Sequence, residues 1–419
     1  MSYACSTFDF MVKSATAPTV VSLFSGAGGL DIGLERAGWH VVTATDFASH
    51  AMETLRASQA AKIQIEDQDM AHLEGTKLIE ANVLDLTAAD LRPDGARKNW
   101  SPDLLVAGPP CQPWSSAGLQ RGLADPRGQL IAHFLRMIGE LKPKFVIFEN
   151  VRGLVTARGE HGVPGEVLLS IQRDLEDLGY ASRISTLNAA DYGAAQRRVR
   201  LLLIATAKHS LPDFPQPTHS REPGTNLLPW RSLADLLREL PAPSPDDIVR
   251  PKGLRADALR ALMPGTGLRT QGKVMANRPS GQWGYRQDAF VADLSLPSRT
   301  IRAAGTPDWV RLPDDVDLRR LTWRECAALQ GFPAEWQFKG TASQRFQQIG
   351  NAVQTDVAKA VGLAVKASLN RGAAATSPAS PPWPDELTRR VHYTKAEERV
   401  NGHLRVRTRA VREELAASA

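Results

Sequence analysis

The chain has 419 residues, 42% of them hydrophobic and 23% charged, enough for a full catalytic core and a smaller second domain, and this composition excludes a fibrous or disordered protein. Its apolar runs, such as 145–148 and 201–205, fall far short of the roughly 20 residues that cross a bilayer, and residues 1–17 lack the pattern of a secretory signal, so a soluble cytoplasmic protein without membrane contact is expected. The net charge of +6 admits a polyanionic partner without requiring one, and Cys5, Cys111 and Cys326 stand at no spacing that suits a disulfide framework or a zinc site.

From Thr19 to about Ala207, short β-branched runs alternate with segments of helical spacing. That alternation predicts an α/β fold with a doubly wound, mostly parallel sheet. The first strand, 19–24, leads into Phe24-Ser25-Gly26-Ala27-Gly28-Gly29 and a helix over 30–37. Glycines let backbone approach a ligand and a helix start offers unpaired N–H groups, although such a turn equally serves to pack a strand on a helix. The second strand, 40–45, ends at Asp46, where nucleotide folds place an acid for ribose hydroxyls. After a helix over 49–58 and a strand over 77–82 comes Asp85; a pair of solvent-facing caps is the plainer reading of both acids, and their order after the glycine turn favours a nucleoside-containing cofactor.

The strand 104–107 runs into Gly108-Pro109-Pro110-Cys111-Gln112-Pro113-Trp114-Ser115. Prolines stiffen the approach to a lone cysteine at the carboxyl edge of the sheet, which makes Cys111 a candidate nucleophile in its thiolate form. A helix over 129–141 precedes the strand 145–149 and Glu149-Asn150-Val151. A carboxylate ending a buried strand is poised for acid–base work, or simply caps a helix. Beyond a helix over 165–178, Gln196-Arg197-Arg198-Val199-Arg200 enters the strand 200–205; alternate residues project to one side, so Arg198 and Arg200 reach one anionic or carbonyl group together, unless they form a surface basic cluster.

After Ala207 nine prolines between Pro212 and Pro251 end the alternation and mark a domain boundary. Between Arg250 and Arg302 ten Lys and Arg face three acids, a net +7, interleaved with Trp283, Tyr285 and Phe290. Such a surface follows a phosphate backbone or is a solvated basic loop region. Helical spacing resumes at 322–329 and 356–368, residues 372–384 read as an Ala/Ser/Pro linker, and 385–419 as a charged peripheral helix or a mobile tail.

Taken in order, Phe24 to Gly29, Asp46, Asp85, Gly108 to Ser115, Glu149 to Val151, Gln196 to Arg200, Arg320 to Cys326 with Leu329 to Pro333, and Gln348 to Val353 resemble the successive motifs of the bacterial DNA cytosine-5 methyltransferases. The resemblance covers about residues 19–365, excluding a variable stretch at 208–316, and Pro-Pro-Cys-Gln-Pro joined to Glu-Asn-Val is its most specific part. It implies a catalytic S-adenosylmethionine-binding domain at 19–207 after an 18-residue leader, a smaller, loop-rich target-recognition domain at 208–316, C-terminal motifs returning to the catalytic domain at 317–371, and a linker and tail at 372–419. Leu296 to Ile301 resembles a sequence near the end of the family's recognition region.

The resemblance further implies catalysis on a cytosine flipped out of the duplex. Cys111 is the attacking nucleophile, Glu149 holds the ring nitrogen and amino group, and Arg198, with Arg200 in support, holds the base oxygen. Phe24, Gly26, Gly28, Gly29, Asp46, Asp85, Pro110, Asn351 and Val353 line the S-adenosylmethionine site, and no metal is implied. Double-stranded DNA is the expected partner, with a cognate restriction endonuclease as a second partner of such enzymes, and a monomer is expected. Asp46 stands where many relatives carry Glu, and Gln354-Thr355 replaces a common proline-containing continuation. The family's tRNA-modifying branch carries a Cys-Phe-Thr tripeptide that is absent here, and an inactive relative would have lost Cys111, Glu149 or the glycine turn.

Overall fold

A computed structural model describes residues 17–110 and 129–394, apart from 160, 223, 225, 254–255, 269–288, 304, 314 and 316. The N-terminal half is built on β1 (Thr19–Leu23), β2 (His40–Asp46), β3 (Lys77–Glu80), β4 (Leu104–Ala107), β5 (Phe145–Val151) and β6 (Ala181–Asn188), followed by the two-residue β7 (Gln196–Arg197) and by β8 (Val199–Thr206). Seven of these form one sheet in the order β3-β2-β1-β4-β5-β8-β6. Neighbours from β3 through β5 pair in parallel, and β8 lies antiparallel to both β5 and β6. The strand order reverses between β1 and β4, and open α/β sheets gather their ligands outside the carboxyl ends at such a switch point.

Helices α1 (Gly29–Arg36), α2 (Ser49–Ala60), α3 (Ala88–Leu91), α4 (Gln129–Leu141) and α5 (Glu166–Asp177) connect these strands. Alternate strand residues feed two cores. Val21, Leu23, Leu105, Val146, Phe148 and Leu203 pack with α4 and α5, while Val20, Leu104, Val106, Phe145, Ile147 and Ile204 pack on the opposite face. Both sheet faces are therefore covered, which is why the strands read as continuous apolar runs.

The second half contributes β9 (His219–Ser220) paired with β10 (Leu228–Pro229), α6 (Leu233–Glu239) and α7 (Ala256–Arg260). A small sheet joins β11 (Thr266–Gly267), β12 (Phe290–Val291), β14 (Trp309–Val310) and β15 (Arg319–Arg320), the last lying beyond residue 316. Between them β13 (Ser298–Arg299) stands outside that sheet and pairs with β7, so the second half is stitched to the first by backbone. Helices α8 (Trp323–Leu329), α9 (Ala342–Asn351) and α10 (Thr355–Asn370) follow.

α10 returns to α1 at van der Waals contact. A Cβ on Gly29 would lie 2.4 Å from the Val353 carbonyl oxygen, and one on Gly33 would lie 2.4 Å from Ala358 Cβ, so neither position tolerates a side chain. Gln354 explains its own departure from the proline pattern: its Oε1 accepts from Asp356 N and Val357 N and caps α10, as a proline in its place would not. Thr355 Oγ1 donates to the Gly331 carbonyl at 3.0 Å.

The stretch 372–384 departs from its reading as a linker. Ala374 N donates to Lys208 O at 2.8 Å, Ser182 N donates to Ser380 Oγ at 3.0 Å, and Trp383 Nε1 donates to Gln172. A helix over 385–394 then places Leu387, 1% exposed, in the core under α4 and α5. Large apolar side chains, spaced too widely to register as a pattern, do the anchoring. Among the described residues no helix is long and apolar enough to cross a membrane.

Candidate active site

The carboxyl edge divides at the β1/β4 switch into two half-sites. On the β1–β3 side the chain leaves β1 through Phe24 and Gly26, both left-handed at φ 57° and 55°, and enters α1 at Gly28, φ 90°. Left-handed backbone is costly for an aromatic residue, so the turn is held by its surroundings. Ser25 N donates to Thr45 O at 2.9 Å, and Gly26 N donates to Asp46 Oδ2 at 2.9 Å. Ala48 N donates to the other Asp46 oxygen at 2.8 Å. Burial raises the Asp46 carboxyl above the usual range, and these backbone donors oppose the rise. From below, Trp336 Nε1 donates to Ala27 O at 2.9 Å, fixing the middle of the turn. A Cβ on Gly26 would meet nothing within 4 Å, so this stretch of backbone is open to a ligand.

Two residues not anticipated from sequence complete this half-site. Phe47, directly after Asp46, is 68% exposed, a large ring left uncovered at the rim. Asn82 follows Ala81, whose N–H donates to Asp46 O at 3.1 Å, so it is Asn82 that adjoins Asp46. Asp85, expected in the cofactor set, instead ends the 3-10 turn Val83–Asp85 and is exposed one turn farther on. An exposed aromatic next to the strand-end acid was the available signal for Phe47; for Asn82 it was the strand end itself.

On the β4–β5 side, Glu149 is 7% exposed and Asn150 2% exposed at the end of β5. Asn150 Nδ2 donates to Pro109 O at 3.2 Å, holding the start of the proline segment. The carboxylate of Glu149 lies against Gly108, with Oε2 3.4 Å from where a Cβ would stand. Arg200 Nε pairs with Glu149 Oε1 at 3.2 Å. Burial raises the Glu149 carboxyl, and Arg200 and then Arg198 oppose that rise. Pro110 is described and partly exposed; Cys111, next in the chain, lies outside the described residues, as does the rest of the segment to Ser115.

Of the two arginines expected to act together, Arg200 is the one in an ion pair with Glu149, at 3.2 Å, and Arg198 acts on the same carboxyl through its charge. Arg198 is 2% exposed and donates from Nη1 to Ile301 O at 3.0 Å and from Nη2 to Gly350 O and Ala352 O at 2.9 and 2.7 Å. A guanidinium engaged by three main-chain carbonyls braces segments, and the arginine paired with Glu149 is Arg200. Gln196, fully buried, extends the brace: its Nε2 donates to Leu329 O at 3.1 Å and its Oε1 accepts from Ile301 N at 3.0 Å. Asn351 is exposed at the end of α9, while Val353 meets Gly29 beneath the glycine turn.

With this geometry in place, residues 18–367 match the family model described as C-5 cytosine-specific DNA methylase. The chain belongs to that family. Among curated members of the C-5 cytosine-specific DNA methylases, it is 30% identical over 369 residues to Type II methyltransferase M.FnuDI of Fusobacterium nucleatum, covering 84% of this chain and 94% of that one. It is 32% identical over 378 residues to Type II methyltransferase M.PspPI of a Psychrobacter species, covering 86% and 82%. A solved structure titled as a putative DNA modification methyltransferase encoded within a prophage, from E. coli, superposes with TM-score 0.58 at 22% identity over 84% of this chain and all of its own, which shows the shared fold. This methylase family thus supplies the reaction class, methylation of DNA cytosine at carbon-5.

Proposed function

We propose that the protein methylates a cytosine within a specific double-stranded DNA sequence, with S-adenosylmethionine as donor and a transient covalent bond between Cys111 and the base. The observation that carries this reading is the buried Glu149–Arg200 pair set against Gly108, three residues before Cys111. The β1–β3 half-site suits an adenosine-bearing cofactor: Asp46 offers a carboxylate to ribose hydroxyls, Phe47 a ring face and the Gly26 turn an open backbone. When bound, the donor supplies an electrophilic methyl group.

The protein's part follows from its groups. A stacked cytosine presents neither face, so the base leaves the helix first. The Cys111 thiolate forms a bond to carbon-6. Glu149, whose carboxyl burial raises, hydrogen-bonds ring nitrogen-3 and the amino group, which eases addition at carbon-6, and that addition pushes the double-bond electrons towards carbon-5 so that it becomes nucleophilic. Arg200 orients Glu149 and offers its remaining donors to the base oxygen, and Asn150 fixes the proline segment through Pro109. After methylation, loss of the carbon-5 proton and of the Cys111 bond restores the aromatic ring. The basic stretch 250–302 supplies phosphate contacts. Similarity to enzymes named Type II methyltransferases favours a role that protects DNA beside a cognate restriction endonuclease.

Incubation with labelled S-adenosylmethionine and duplex DNA is expected to label cytosine carbon-5 and not tRNA. Cys111→Ser should abolish the covalent complex with 5-fluorocytosine DNA, and persistence of that complex would show another nucleophile. Glu149→Gln should lower kcat by about 10²–10⁴-fold, the range for a lost general acid.

A further inference from the structure

The Ala27–Gly28 peptide lies at the centre of the glycine turn, between the open backbone of Gly26 and the start of α1. Phe24, Gly26 and Gly28 around it are all left-handed, so local sequence does not hold this turn in one shape. Both polar atoms of the peptide are nevertheless engaged. Its N–H, on Gly28, donates to Ser25 O at 2.9 Å within the turn, and its carbonyl, on Ala27, accepts from Trp336 Nε1 at 2.9 Å. A planar peptide held at both ends cannot rotate, and the second of these bonds comes from 309 residues away in sequence.

Three elements place the indole. Its six-membered ring closes the space beside Gly28, with Cζ2 3.1 Å from where a Cβ would stand. The His72 ring lies perpendicular to it, with centres 5.9 Å apart, and His72 is itself anchored to Glu35 of α1 at 2.6 Å. The residues after the indole are seated on α2, where Gln337 N donates to Ser58 Oγ at 3.0 Å and Lys339 N to Thr54 Oγ1 at 2.9 Å. A buried indole N–H needs an acceptor, and here that acceptor is main chain of the cofactor turn. Trp336 is only 3% exposed, so it acts on a ligand through the Ala27 carbonyl and not by touching it.

We infer that Trp336 is a positioning residue for the methyl donor: its N–H, acting through Ala27, sets the backbone on which the donor rests and governs donor affinity without entering the chemistry on the base. The inference rests on the S-adenosylmethionine reading of this half-site. Without the N–H the Ala27–Gly28 peptide is free to turn, and the donor spends part of its binding energy on restoring it. Duplex binding and the step at Glu149 draw on the β4–β5 side and stay as they are.

The test uses the full chain carrying Trp336→Phe, which keeps an aromatic ring and removes the N–H. KM for S-adenosylmethionine and the calorimetric Kd for S-adenosylhomocysteine should rise about threefold to tenfold, the scale of one neutral hydrogen bond. At saturating donor, kcat should stay within about twofold, as should KM for duplex DNA. Phe338→Leu is the packing control. Phe338 packs on Phe332 and Trp323 in the same aromatic cluster, with ring centres 4.9 and 5.9 Å apart, and its loss should lower stability to urea without moving the donor KM. Hydrogen exchange on the unaltered protein needs no variant: S-adenosylhomocysteine should slow exchange in a peptide spanning 331–338 together with one spanning 24–30. A donor KM unmoved by Trp336→Phe, an equal rise from Phe338→Leu, a fall in kcat in place of the KM change, or protection confined to 24–30 overturns the assignment of Trp336. Failure of the unaltered protein to bind S-adenosylhomocysteine would instead overturn the cofactor reading beneath it.

Discussion

Two proline-rich stretches of this chain look alike on paper and behave differently in space. Residues 208–251 open the second half, and residues 372–384 follow the last helix of the family match; both interrupt regular spacing with proline. The first leads into two-residue strands held largely by arginine. Arg319, 2% exposed, pairs with Glu325 at 2.7 Å and Asp315 at 3.0 Å, Arg299 pairs with Asp308, and Arg250 with Asp315 at 3.2 Å. The second is held by Trp383, Leu387 and Val391 against the main core, and covers the edge strand β6 through Ser380. Proline therefore reports the loss of a backbone ladder and says nothing about docking. What decides docking is whether large apolar side chains remain to be buried or charges to be paired.

The comparison breaks most sharply at Glu325. Its carboxylate caps α8 through Thr322 N at 2.7 Å and pairs with Arg319, so Glu325→Ala leaves that buried guanidinium with Asp315 as its one remaining carboxylate among the described residues. The expected loss is about 3–5 kcal/mol, read from urea unfolding, and a loss below 1 kcal/mol would place Arg319 among solvated charges. Next comes Leu387→Ala, expected to cost about 2–4 kcal/mol through cavity formation. That loss should be insensitive to added salt, whereas the stability of the second half should respond to salt at its more exposed pairs. Smallest is Trp383→Phe, which keeps the ring but removes the donor to Gln172 and should cost about 1 kcal/mol. A null effect would assign the docking of 372–394 to Leu387 and Val391 alone.

Legibility from sequence follows the same physics. The sheet was readable because both of its faces are buried, which writes strands as unbroken apolar runs flanked by helical spacing. β6 escaped for the opposite reason: at the sheet edge, Ala181–Asn188 alternates buried and half-exposed residues and includes Arg183, Ser185 and Thr186. The glycine turn, Asp46 and Glu149 announced themselves by falling at strand ends. Phe47 and Asn82 sit at such ends too, but a single aromatic and a single amide carry little weight until their neighbours are placed. The roles of Arg198 and Arg200 were beyond any linear pattern, since Ile301, Gly350 and Ala352, the acceptors that occupy Arg198, lie more than 100 residues away.

The slot on α1 left by Gly29 and Gly33 has a temporal side. Trp39, just past that helix, donates to the Gly362 carbonyl across 323 residues of sequence, and α10 fills the slot beside it. During synthesis α1 must wait, with an apolar groove open to water, until α10 is made. A ribosome that stalls between residues 208 and 316 therefore carries a chain whose main-sheet strands are made and whose groove on α1 is bare.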